Sequence, residues 1–309
     1  MSIWNHKEIK KEINFDNLIT LGEGATPVSK IELENNNVLY IKHEEQNPTG
    51  SWKDRGTAFK ISQLVADGTN EAVISSSGNA AISFLKYANH IGNFKMHIVV
   101  SPNVNEKKNE IIKQEAAKGA HEIYYEPKAR AMAAKISAEK NIPNLRASTD
   151  SEILKGYWSL GLEIYDEIIK NHREEYHIIL CAVSSGTTVV GMAAGINLMI
   201  EKEINMPKFV FVQTTDCHPL VPNDSSSEES FADAIVDKTL LREPALNKIL
   251  KQTNGNAIVV SNEQLELAKA WLTKKGEYLS YTSLLPIAAM LEFKNNFNNT
   301  IFTCISSGR

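Results

Sequence analysis

Three polar turns hold the residues of this 309-residue chain whose types and spacing admit chemistry. The first runs Asn47-Pro48-Thr49-Gly50-Ser51-Trp52-Lys53-Asp54-Arg55-Gly56. Asn-Pro and Thr-Gly predict a tight turn, and Ser51 is placed to cap a helix that starts near Trp52. Lys53 then falls in the first helical turn, where the helix dipole disfavours a cation. A lysine held as a Schiff base, or one needing a lowered pKa, suits that position; a solvated lysine beside Asp54 is the plain alternative. The second turn, Ser75-Ser76-Ser77-Gly78-Asn79-Ala80-Ala81, sets hydroxyls and backbone N–H groups at a helix start, a cradle for a carboxylate or phosphate. Asn79 adds a neutral donor for an aromatic hydroxyl, and ordinary capping by Ser77 or Asn79 is the alternative. The third turn is Ser184-Ser185-Gly186-Thr187-Thr188, again after an apolar run. Capping uses one or two of these small residues, whereas one phosphate held by several hydrogen bonds would use them all.

The elements that must position these turns alternate. Short β-branched runs over 72–76, 95–101, 121–126, 177–183, 208–213, 257–261 and 300–306 predict buried parallel strands. Helical periodicity falls over 53–67, 79–91, 105–118, 129–140, 157–170, 189–203, 262–275 and 283–295. Strands separated by helices of this length predict an α/β fold of doubly wound, mainly parallel sheets, with ligands beyond the carboxyl ends of the strands. The polar stretch PNDSSSEES at 222–230 reads as a surface loop.

Composition excludes several classes. The length suggests about two domains at roughly 150 residues each, and a chain of this size needs no disulfide or metal to be stable. Lys+Arg 33 against Asp+Glu 37 gives −4, with no basic stripe for nucleic acid. Cys181, Cys217 and Cys304 form no CxxC pair, and no metal site is expected. There is no apolar leader and no membrane-length apolar run, so a cytoplasmic protein with no membrane partner is expected. P-loop, zincin and hydrolase-elbow motifs are absent. Gly22-Glu23-Gly24 begins like a dinucleotide fingerprint but lacks the third glycine, and Pro27 blocks a helix. Ser83-Phe84-Leu85-Lys86 matches S-x-x-K only by chance, mid-helix and without partner motifs.

Taken in order, the turns resemble a known family over nearly the whole chain. NPTGSWKDRG resembles the pyridoxal-phosphate lysine motif of threonine synthases, usually written with Phe at the position of Trp52. LGEGATP at 21–27 resembles their E-G-x-T-P segment, and SSSGNAA resembles the S-S-G-N-A-A loop that holds the substrate carboxylate. AVSSGTTVVG is similar to the phosphate loop of cysteine synthases, and FVQTTDCHPLV at 211–221 is similar to F-Q-A-x-G-x-x-P-L-V of threonine synthases. The terminal ISSGR resembles the Ser or Thr plus Gly turn beside the cofactor's pyridine nitrogen. The family is the fold-type II pyridoxal-phosphate enzymes, or tryptophan synthase β superfamily. Threonine synthases are the nearest pattern, with dehydratase-like features.

The resemblance implies pyridoxal 5'-phosphate bound through Lys53, which also supplies the base for the α-proton. It implies Asn79 on the ring hydroxyl, and Ser76, Ser77, Gly78 and Asn79 on the substrate carboxylate. Ser184, Ser185, Gly186, Thr187 and Thr188 would hold the phosphate, with Ser306 (or Ser307) at the pyridine nitrogen. It further implies a larger domain of 1–54 and 149–309, a smaller domain of 55–148, the cofactor in the cleft between them, and a homodimer. A serine opposite the ring nitrogen does not hold it protonated as a carboxylate does. That favours β- or γ-elimination or replacement on a small amino acid.

The chain departs from the pattern in places. Ser184, Ser185 and Thr187 stand where cysteine synthases show Gly, Thr and Gly. Ile153 stands where threonine synthases carry a phosphate-binding arginine, and LKGYWSLGLEI resembles the corresponding serine/threonine dehydratase segment. Ser280 stands where both groups often carry Glu. Dehydratase (ammonia-lyase) activity is therefore the second reading. A non-catalytic cofactor-binding relative is the third; the altered loop and Ser280 favour it, and the intact Lys53, Asp54 and Arg55 speak against it.

Overall fold

The computed structural model describes residues 2–200 and 205–308. Nine strands are described: β1 Val28–Glu32, β2 Val38–Lys42, β3 Glu71–Ser75, β4 Lys95–Val100, β5 Glu122–Tyr125, β6 Tyr176–Ala182, β7 Lys208–Thr214, β8 Asn256–Val260 and β9 Thr300–Ile305. The chain divides into two compact units, one of residues up to Ala25 with Asn47–Ser159, the other of Thr26–Gln46 with Leu160 onward.

The first unit is built on the parallel sheet β3-β4-β5. β3 and β4 are buried along most of their length, as parallel strands covered by helical crossovers are, while β5, Glu-Ile-Tyr-Tyr, lies at the edge and is half-exposed. Val73 and Val99 pack with Ala133 and Ile136 of the helix Ala129–Lys140. The helices Lys53–Ala66 and Asn79–Ile91 each follow one of the polar turns. Asn105 caps Glu106–Ala116 by accepting from Lys108 N at 3.3 Å. Gly156, in the first turns of Ile153–Glu167, lets that backbone approach Arg55, whose carbonyl oxygen would lie 2.2 Å from any Cβ at 156.

The second unit carries a six-stranded sheet in the order β1-β2-β9-β6-β7-β8. All neighbours are parallel except β1 and β2, an antiparallel hairpin. Ile178, Leu180, Val210, Val212 and Phe302 of the sheet pack against Leu284, Leu285, Ile287 and Ala288 of the helix Tyr281–Phe293. The turns at 75–81 and 184–188 and residue Ser306 all follow the carboxyl ends of parallel strands, where the α/β reading expects ligands.

The hairpin and the helix Glu243–Gln252 are additions to the sequence reading. The helix expected over 189–203 runs Thr187–Met199, and residues 201–203 lie outside the described residues. PNDSSSEES is irregular, as expected of a loop. Among the described residues no helix is long and apolar enough to cross a membrane.

Candidate functional site

In the first unit, Lys53 is the first residue of its helix. The capping position falls on Trp52, whose indole makes no cap bond, while Ser51 Oγ accepts from Lys53 N at 3.3 Å. The helix thus starts at Lys53, as the periodicity over 53–67 predicts, with Trp52 rather than Ser51 at the capping position. The Lys53 ammonium lies 5.6 Å from the centre of the Trp52 ring. The turn before it is tied down by Asn47, whose side chain accepts from Gly24 N at 2.9 Å. Asp54 closes the turn by accepting from Thr49 N at 2.7 Å, from Thr49 Oγ1, and from Ser83 Oγ at 2.6 Å. Burial pushes its carboxyl up to about 6, although these hydrogen bonds pull the other way. Ser83 of the S-x-x-K match thus serves Asp54. Arg55 is fully buried and donates from Nη1 to Ser159 Oγ at 2.9 Å.

Gly22-Glu23-Gly24 is a polar turn beside this one. Glu23 Oε2 accepts from Tyr87 OH at 2.6 Å, Thr20 Oγ1 at 2.9 Å and Leu21 N at 3.0 Å. Its Oε1 is buried without a hydrogen-bond partner.

The turn after β3 does not cap its helix with a side chain. Gly78 occupies the cap position, and Asn79 opens the helix. Ser76 Oγ accepts from Gly78 N at 3.3 Å, and Ser77 Oγ accepts from Ser101 N at 2.9 Å. With their oxygens engaged as acceptors, both hydroxyls keep their protons to give, which suits an anion.

In the second unit, Gly186 caps the helix Thr187–Met199 at φ +78°, again without a side-chain bond. A Cβ there would meet Leu246 Cδ1 at 2.7 Å. Thr188 Oγ1 is buried without a partner. Ser185 Oγ and Thr187 Oγ1 lie 3.2 Å apart, and Arg242 Nε donates to Thr187 Oγ1 at 3.2 Å. Ser184 is committed elsewhere. Its hydroxyl donates to Asp237 Oδ2 at 2.9 Å and accepts from the N–H groups of Val236 and Asp237 at 3.2 and 3.3 Å. Sequence spacing gave no signal for Asp237 or Arg242, which reach the loop from more than fifty residues away.

Ser306 follows β9, and its N–H donates to Lys42 O at 3.1 Å. Its hydroxyl donates to Glu45 Oε2 and accepts from Glu45 N at 3.4 Å. His43 Nδ1 lies 2.8 Å from Glu45 Oε1. Lys42 anchors this end of β2 through Glu163 at 2.9 Å, Glu167 at 2.7 Å and Thr26 O at 2.8 Å. Ser307 N and Gly308 N both donate to Ser283 Oγ, while Ser280 Oγ donates to Gly308 O at 2.6 Å. An open cavity of about 610 Å³ is lined by Glu45, Gln46, Tyr278, Leu279, Ser280 and Gly308.

Comparison with known proteins shows the family and the fold. The family model described as pyridoxal-phosphate dependent enzyme matches residues 19–308. A threonine synthase of Halalkalibacterium halodurans is 38% identical over 80 residues, which is 24% of this chain and 22% of that enzyme's length. The threonine synthase of Methanocaldococcus jannaschii is 24% identical over 336 aligned positions, covering 100% of this chain and 80% of that enzyme. Among solved structures, the processed form of threonine deaminase isoform 2 from Solanum lycopersicum superposes with a TM-score of 0.74 at 20% identity, covering 92% of this chain and 78% of that one.

Proposed function

The chain belongs to the pyridoxal-phosphate dependent enzymes, and on that premise we propose β- or γ-elimination or replacement on a small amino acid, threonine synthase-like in kind. The observation that carries this reading is the start of the helix Thr187–Met199. Its capping residue, Gly186, brings no side chain, Ser185 Oγ reaches Thr187 N only at 3.5 Å, and the buried Thr188 hydroxyl has no partner. A helix N-terminus with such a hydroxyl, and with Arg242 on Thr187, has the donor set a phosphate ester requires.

In this reading Lys53 holds the cofactor covalently, and its amine serves as base for the substrate's α-proton. Asn79 binds the ring hydroxyl, and Ser76, Ser77, Gly78 and Asn79 bind the substrate carboxylate. Ser185, Gly186, Thr187 and Thr188 hold the phosphate, with Ser184 contributing through its backbone because its hydroxyl is engaged by Asp237. Ser306 meets the ring nitrogen. When bound, pyridoxal phosphate supplies an electron sink for charge developed at the substrate α-carbon.

A second reading, serine/threonine dehydratase, is favoured by Ile153. It is 3% exposed at the start of its helix and offers no cation for a substrate phosphate. Incubating the cofactor-loaded protein with O-phosphohomoserine, serine and threonine decides between them. Release of phosphate with threonine supports the first reading, and release of a 2-oxo acid with ammonia supports the second. A loaded protein inert to all three and to other β-substituted amino acids would overturn both and leave a non-catalytic relative.

A further inference from the structure

We propose that Glu45, acting through Ser306, keeps the ring nitrogen of bound pyridoxal phosphate protonated. The inference rests on the placement of Ser306 at that nitrogen, as read above.

A serine hydroxyl has one proton to give and two lone pairs to receive. In Ser306 the proton goes to Glu45 Oε2, and one lone pair takes the Glu45 N–H at 3.4 Å. One lone pair is left. A neutral pyridine nitrogen is itself only an acceptor, so it makes no bond to such an oxygen. A protonated ring nitrogen does, because it brings the missing hydrogen. The Glu45 carboxylate, one hydrogen bond farther back, favours the resulting positive charge.

Glu45 must stay ionised for this to hold, and its neighbours see to that. The Ser29 hydroxyl gives its proton to Glu277 Oε1 at 2.5 Å. Towards His43 Nε2, 2.7 Å away, Ser29 is therefore an acceptor, and Nε2 must carry a proton. Nδ1 lies 2.8 Å from Glu45 Oε1 and shares one further proton with it, and that proton sits on the imidazole because the pair raises the pKa of His43 and lowers that of Glu45. His43 is thus an imidazolium held between Glu45 and Glu277, the latter's Oε2 being 3.9 Å from Nε2, with Lys42 the nearby opposing cation. Burial alone would lower the His43 pKa, but the bond to Glu45 and the two carboxylates leave it raised. Burial would raise Glu45, but the bonds from His43 and Ser306 leave it lowered. The chain Glu277–Ser29–His43–Glu45–Ser306 therefore gives a serine the effect of a carboxylate. Glu45 is a positioning residue, and it widens the chemistry open to the site beyond prompt loss of a leaving group, towards reactions that need a longer-lived α-carbanion.

The test is nitrogen NMR of the protein loaded with pyridoxal phosphate carrying ¹⁵N in the ring, since the ¹⁵N shift reads protonation directly. The wild-type protein is expected to show the protonated nitrogen at neutral pH. Glu45→Ala frees the Ser306 proton and should move the signal to the unprotonated position. An unprotonated wild-type nitrogen overturns the proposal, and needs no variant that folds. A shift unchanged in Glu45→Ala but changed in Ser306→Ala overturns the relay and leaves the Ser306 reading standing. A shift unchanged in both overturns the placement of Ser306 and the proposal with it. Borohydride fixation to Lys53, run on each sample, separates these results from a failure of cofactor attachment.

Discussion

The hydroxyl of Ser83 donates to Asp54 Oδ1 at 2.6 Å, tying the helix Asn79–Ile91 to the residue next to Lys53. Burial raises the Asp54 carboxyl from 3.8 to about 6, so the folded state takes up a proton that the unfolded chain has already lost. A raised folded-state pKa contributes stability that is full below the unfolded value and is lost as pH rises through the folded one. Stability from this group should therefore decline between about pH 4 and pH 6. The check is the denaturant midpoint of wild type and Asp54→Asn across that range. The difference between them should change with pH within that window and level off above it.

Lys53 is expected to carry the cofactor. Borohydride reduction should leave the label on the peptide containing Lys53, and Lys53→Ala should take up none covalently. Label recovered on another lysine would refute the assignment.

Thr188→Ala separates phosphate binding from helix capping. Because Thr188 Oγ1 has no partner within the protein, its removal should leave the denaturation midpoint unchanged or slightly raised. Affinity for pyridoxal phosphate should fall about ten- to a hundredfold, the loss of roughly 1.5–3 kcal/mol of charge-assisted hydrogen bonding. Unphosphorylated pyridoxal, titrated in parallel, should bind both proteins alike. Equal weakening of both compounds would mean that the loop shapes the pocket without reading the phosphate.

Gly156→Ala should destabilise the protein through backbone overlap, since the new Cβ would lie 2.2 Å from Arg55 O. Overpacking of this kind costs about 1–3 kcal/mol, readable as a lower thermal midpoint. A neutral result would show that the two helices separate freely.

Much of this was legible because it is local. Val73, Ile98 and Val99 announce buried parallel strands by their branching, and the turns that end those strands announce themselves by Ser, Gly and Asn in sequence. The β1–β2 hairpin carries no such local signal. Its turn uses Asn35 and Asn36 at φ +59° and +56°, without the Asn-Gly pair that marks such turns most plainly. The helix Glu243–Gln252 follows a long polar stretch, and its Pro244 reads as a breaker although proline is tolerated in a first turn. Glu45, Asp237 and Arg242 were invisible for another reason. Each meets its partner, Ser306, Ser184 or Thr187, only because distant strands and loops are brought together, and no spacing encodes such a meeting.

The position of β1 at the end of the six-stranded sheet has a consequence for how the chain behaves in a crowd. A bare parallel edge at β2 would present unpaired N–H and C=O groups to any extended segment that drifted by. The hairpin covers that edge with a strand whose exposed face carries Lys30 and Glu32, 2.6 Å apart. An incoming strand would have to strip water from both charges to dock there, so the hairpin that supplies Ser29 also guards the sheet against aggregation.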